Sequence, residues 1–253
     1  MRPDYTINDV KEVLDNIVST TSPDCLFFHF SLGVHGVFDF NPLEFVESLA
    51  EFKKKVTLVA PTYNYDFFNG VKYSHEKSSS QVGLLTEVAR THPEFTRTRN
   101  VVYSHAVSGL RKDFLLQASN KTAFGKRSFF DLLTKMDTYI VFWGATWNSM
   151  TVFHYIEEMT SVPYRYSKCF QGTANFDGKV GNESIDIYSR NLEINPKLNL
   201  NVLRQEIEDS GLLHSFPLGR GSVEVVRLSD LIDRALKSLS SNYYHYVNIN
   251  PSC

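Results

Sequence analysis

Three cysteines in 253 residues, Cys25, Cys169 and Cys253, are too few and too far apart for a disulfide framework. No CxxC pair occurs, which leaves no zinc knuckle and makes a reducing cytoplasm the expected setting. Long apolar runs are also missing: no stretch reaches the ~20 residues that cross a bilayer. The opening "MRPDYTINDV" is polar where a secretory signal needs an apolar segment. Charge of one sign is lacking too. A formal net charge of -2 gives no general pull toward nucleic acid or an anionic membrane, so neither is expected as a partner. There is no GxGxxG, no P-loop and no HExxH.

The chain does carry alternating apolar elements. "TINDVKEVLDNIV" begins with Thr6 and Asp9 in capping-box spacing and places Val10, Val13, Leu14 and Ile17 on one helical face. "CLFFHF" and "VTLVAP" read as buried strands, with "NPLEFVESLAEF" between them as a helix capped by Asn41 and opened by Pro42. "SQVGLLTEVAR" reads as a helix from a Ser80 cap, "VVYSHAVSG" as a strand and "SFFDLLTKM" as a helix. "TYIVFWGA" reads as a strand and "SMTVFHYIEEM" as a helix. From Pro163 to Arg190 the pattern is irregular and aromatic. A helix near 199–210, a strand "SVEVVRL" and a helix "SDLIDRALKSL" follow. Strands alternating with helices predict an α/β layer structure, one domain over residues 1–240 and a loosely held tail over 241–253.

Several short stretches could carry chemistry. "HFSLGVHGVF" follows a buried strand with Ser31, Gly33 and Gly36, a loop type that offers backbone amides to phosphates or amide chains; small residues at any strand end are the plain alternative. In "VYSHAVSG", Tyr103 and His105 share one strand face and Ser104 takes the other, and a lone strand histidine is more often a core residue than a catalyst. In "TVFHYIEE", His154 stands three residues before Glu157 and four before Glu158, so either carboxylate can orient the imidazole and leave its other nitrogen as a base. That spacing is also common on solvated helices. No second histidine lies at ligand spacing, so no metal is expected, and a metal hydrolase lacks its ligands.

Taken in order, "HFSL", "TLVAPTYNY", "SQVGLLTEVAR" with "RTRNVVYSHAVSG", "TAFGKRSFFDLL" and "GATWNSMTVFHYIEE" resemble the aminoglycoside 3-N-acetyltransferase family, antibiotic acetyltransferases unrelated to the GNAT fold. The resemblance runs from about Leu26 to Gly172 and more faintly to Leu236. It implies a mixed central sheet flanked by helices and acetyl-CoA-dependent transfer to a primary amine. It implies pantetheine and pyrophosphate held by His29, Ser31, Leu32, Gly33, Val34 and Gly36, with Tyr103, Ser104 and Phe124 lining the CoA side. It implies His154 as the active-site histidine, in a T-x-x-H-x-x-E setting with Thr151 and Glu157. Should Glu157 not orient the ring, Glu158 or Asp186 is next in line.

Many members have His where this chain has Tyr103 and Asp where it has Ser74. Both departures bear on the acceptor rather than on the reaction. The 163–190 stretch sets Arg165, Lys168, Lys179 and Arg190 against Asp177, Glu183 and Asp186, with Tyr164, Tyr166, Phe170 and Tyr188 interleaved. That mixture suits an amino sugar carried on a nucleotide or lipid phosphate, and "VPYRYSK" resembles the family's surface-polysaccharide branch. The expected activity is therefore N-acetylation of an amino-sugar intermediate of surface-polysaccharide biosynthesis. Aminoglycoside resistance and a non-catalytic CoA- or sugar-binding relative are the alternatives, and self-association into a homo-oligomer is left open.

Overall fold

The computed structural model describes residues 2–249. Helix α1 (Ile7–Thr21) leads into β1 (Cys25–Phe30), α2 (Pro42–Ala50), β2 (Thr57–Pro61) and β3 (Tyr73–Ser74). Then come α3 (Leu84–Thr91), β4 (Thr96–Arg97), β5 (His105–Ser108), α4 (Lys112–Leu115), α5 (Phe129–Leu133), β6 (Thr138–Trp143) and α6 (Phe153–Met159). The remainder is β7 (Arg165–Phe176), β8 (Lys179–Arg190), β9 (Lys197–Leu198), α7 (Asn201–Asp209), β10 (Leu213–Leu218), β11 (Gly221–Arg227), α8 (Leu228–Ser241) and β12 (Val247–Asn248).

The seven-stranded central sheet runs β10-β11-β6-β1-β2-β5-β4. Its middle, β6-β1-β2, is parallel, and antiparallel strands flank it on both sides, so the sheet is mixed as expected. Both faces of the middle strands are covered, which explains why "CLFFHF" reads as a continuous apolar run rather than an alternating one. Leu26 and Phe28 face α1, α2 and α3, meeting Leu14, Phe45 and Leu85. Phe27 faces the other side, with Phe130, Phe153, Ile156 and Leu231 from α5, α6 and α8. Each such ring or branched chain stabilises the fold by about 1.5–3 kcal/mol. The Thr6–Asp9 capping box and the Asn41 cap with Pro42 form as the spacing predicts. Helix α3 instead starts after Gly83, because Ser80 is drawn to Thr86 and Glu87 rather than to a first helical turn.

Two expectations are overturned. The stretch after Pro163 is not irregular: β7 and β8, twelve residues each, form a hairpin that, with β3, makes a second sheet. Its two-residue turn is Asp177–Gly178, with φ of 54° and 80°, the backbone signature of a tight hairpin. The expected loose tail is, over residues 242–249, held in place. Tyr246 is fully buried and its hydroxyl donates to Glu206 (2.7 Å), while β12 pairs with β9. Tyr246 supplies the apolar body and polar tip that a buried anchor needs. Residues 250–253 lie outside the described residues. Among the described residues no helix is long and apolar enough to cross a membrane.

Candidate active site

Parallel strands of an α/β sheet leave a crevice beyond their carboxyl ends. Here β1 ends at His29 and Phe30, β2 at Pro61, and β6 runs into Gly144. A cleft of about 310 Å³ opens there, lined among others by His29, Phe30, Tyr63, Asn148, Thr151 and His154. The loop from Ser31 to Gly36 borders it, turning through one 3₁₀ turn. Ser31 N–H donates to the Trp143 carbonyl (2.8 Å), which ties the loop to the end of β6. Gly144 makes this approach feasible. It has φ +75°, and a Cβ there would collide with the Ser31 carbonyl and lie 2.9 Å from His35 Nε2.

His154 projects from α6 into this cleft and also into a second one of about 670 Å³. Its Nδ1 is 2.6 Å from Oε2 of Glu157, one helical turn on, and Glu157 is wholly buried. Arg165, the first residue of β7, brings Nε to 2.8 Å from the same Oε2 and Nη2 to 2.9 Å from Nδ1. Nδ1 cannot both donate to the carboxylate and accept from the guanidinium. An ionised oxygen at 2.6 Å places the proton between them, so Nδ1–H donates to Glu157 and, in the neutral ring, Nε2 carries the lone pair. Burial acts to raise the Glu157 carboxyl, but His154 and Arg165 together hold it below its ordinary value. Burial and then Arg165 pull the His154 imidazole below its ordinary value, against the opposing pull of Glu157. A ring neutral near pH 7 with a free Nε2 is equipped to accept a proton.

The second cleft is cationic and aromatic. Arg165, Lys168, Arg190 and Lys197 line it together with Tyr166 and Phe170. Among the described residues neither cleft has an Asp or Glu in its lining. The acidic residues of the hairpin point elsewhere: Asp177 pairs with Arg99 (2.5 Å) and Glu183 with Lys121 (2.6 Å).

Not every expected site residue is brought together. His154 and Glu157 meet as the spacing predicts, and His29 and Tyr103 reach the cleft walls. Ser31, Leu32, Gly33, Val34 and Gly36 stand on the bordering loop rather than in either lining. Asp186 is not a partner of His154. Strand alternation turns Ile185 and Ile187 inward and Asp186 outward, opposite Cys169. Ser104 lines neither cleft: fully buried, it donates to the Thr62 carbonyl and accepts from Arg97. Phe124 does not line either cleft. It is core, with its ring 5.3 Å from that of His154 and steeply inclined to it. His105 is a core residue as well, stacked on Phe129 and bonded to the Tyr63 hydroxyl. Arg165 is the contributor that sequence reasoning missed as a partner of the imidazole. The Asp177–Gly178 hairpin signal, which fixes the register of β7 on β8, was the cue available for it.

A family model described as aminoglycoside 3-N-acetyltransferase matches residues 27–240. Among solved structures the fold is similar to that of the YokD protein from Bacillus subtilis, at 19% identity, 98% of this chain, 97% of that chain and a TM-score of 0.79. It is similar to AAC-IIIb in its binary complex with CoASH, at 14% identity, 93% and 96% coverage and a TM-score of 0.79. It is similar also to sisomicin-bound AAC-VIa, at 16% identity, 95% and 99% coverage and a TM-score of 0.81. No curated protein sequence matches the chain.

Proposed function

The chain belongs to the aminoglycoside 3-N-acetyltransferase family, and from that premise we propose that it transfers the acetyl group of acetyl-CoA to a primary amine of an aminoglycoside-type acceptor, with His154 as general base. The observation that carries this reading is an imidazole, oriented by a buried carboxylate, at the junction of two clefts. A two-substrate reaction needs that arrangement. The acetyl-pantetheine end enters the cleft beside the 31–36 loop, and the acceptor occupies the cleft under the hairpin. Nε2 takes a proton from the amine as nitrogen attacks the thioester carbonyl. The tetrahedral intermediate then collapses, the C–S bond breaks, and the imidazolium returns the proton to the departing sulfur. General-base help of this kind contributes ~10²- to 10⁴-fold. A cytoplasmic setting belongs to the same reading, with Cys25 and Cys169 both free thiols.

A second reading of the acceptor has its own support. Lys168, Arg190 and Lys197, beyond the neutralised Arg165–Glu157 pair, with the exposed Tyr166 and half-buried Phe170 and no carboxylate in the lining, favour an acceptor that carries phosphate, such as a nucleotide-linked amino sugar of surface-polysaccharide synthesis, over a free polycation. Thiol release from acetyl-CoA, followed across aminoglycosides and nucleotide-linked amino sugars, decides between them. Turnover with neither class, alongside heat stabilisation by CoA, would leave a binding protein. His154→Ala is expected to lower kcat by at least ~10²-fold with CoA affinity nearly unchanged. Near-normal turnover of that variant would remove His154 from the chemistry.

A further inference from the structure

A histidine beside a lone buried carboxylate tends to hold its proton, because the imidazolium–carboxylate pair is the electrically neutral state. That is the wrong charge for a base. In this site the count differs, since the guanidinium of Arg165 lies against the same Oε2 that His154 uses. Glu157 and Arg165 already sum to zero, so adding a proton to the ring creates a net positive charge in a largely dry cluster. The Arg165 side chain is only 9% exposed, and its Nη1 donates to the Tyr188 carbonyl (3.0 Å), which fixes the guanidinium from the hairpin side.

We propose that Arg165 is a positioning residue for the acetyl transfer: as the counter-charge of Glu157 it keeps the His154 ring neutral, while Glu157 holds the ring proton on Nδ1 and leaves Nε2 free. The proposal rests on His154 being the base. The titratable groups that face the ring or its carboxylate, or line a cleft with it, are His29 from β1, Glu157 from α6, Arg165, Tyr166 and Lys168 from β7, Arg190 and Tyr188 from β8, Lys197 from β9, and Tyr63, Tyr65, Tyr103 and Tyr164 from the connecting segments. Arg190 adds a second positive charge on the same side, while the tyrosines are neutral at the pH concerned. Burial drives the Tyr103 and Tyr164 hydroxyls far above their ordinary range. The direction of the His154 shift agrees with this charge count, Arg165 acting against protonation and Glu157 for it. The same geometry ties the hairpin to the chemistry. Arg165 sits where β7 leaves the segment after α6, so a displaced hairpin would carry the counter-charge away from the carboxylate.

The test is an NMR titration of the His154 ring nitrogens in the intact protein, which needs no acceptor and no turnover. In the wild type the ring is expected to be neutral at pH 7, with the proton on Nδ1. In Arg165→Met its titration is expected to move upward by about one pH unit or more, and Arg165→Lys, which retains the charge, should restore most of the shift. The acid limb of kcat/KM should move with the ring in each variant. A wild-type ring that is protonated at pH 7 overturns the proposal without any variant, so a Met variant that fails to fold does not shield it. An unmoved titration in a folded Arg165→Met also overturns it. Should the ring titrate as expected while the pH–rate profile ignores it, the charge role stands and His154 as base fails.

Discussion

Glu157 answers to two partners, and the consequences of removing its charge follow from both. Glu157→Gln leaves Arg165 buried with no counter-ion, and one-sided loss of a buried pair costs about 3 kcal/mol or more. It also removes the one group that favours protonation of His154, so the acid limb of the rate profile should move to lower pH. Turnover should fall as well, because an amide no longer dictates the ring tautomer. Urea unfolding and a pH–rate profile check the two effects separately, and an unmoved acid limb would detach the carboxylate from the base. The His154–Glu157 pair was legible in the sequence since a helix brings residues three apart together whatever surrounds it. Arg165 was not legible as their partner. Eleven positions from His154 and on a different element, it arrives only through the way β7 lies against α6.

At the scale of elements, the loop from Ser31 to Gly36 and the end of β6 depend on each other through Gly144. A side chain there meets the Ser31 carbonyl and the buried His35 ring, and φ of +75° is strained for any other residue. Gly144→Ala is expected to lower stability by about 1–3 kcal/mol and to raise the KM for acetyl-CoA more than that for the amine. Equal effects on the two substrates would take the loop out of the thioester site. The alternation of strands and helices was readable from apolar periodicity alone, as the caps at Thr6 and Asn41 illustrate. The hairpin escaped because only Ala174 and Phe176 of β7 are buried and its polar and aromatic residues follow no period of two, which reads locally as irregular. Its pairing register, not its composition, makes it a strand.

For the molecule as a whole, buried histidines couple stability to pH. His29 is 4% exposed, and burial brings its imidazole down to about 4 from 6.5. Burial and the neighbouring His29 hold His105 well below its ordinary value. A group whose folded value is depressed contributes stability that is complete above its unfolded value and is lost as the pH falls toward the folded one. Stability should therefore drop as pH falls through 6.5 toward 4, with His29 alone accounting for about 2 kcal/mol by pH 5. Urea midpoints at pH 7 and pH 5 check this, and equal midpoints would mean that these rings do not stay neutral in the fold. The amino-acid order by itself determined the alternating layers, the buried parallel strands and the histidine–glutamate pair, since each is written within a few neighbouring residues. Tertiary structure alone decided that Ser104 and Phe124 are interior, that Asp186 faces away, and that Arg165 closes the charge balance. Those outcomes depend on which face of one element meets another, and local periodicity carries no record of a partner tens of residues distant.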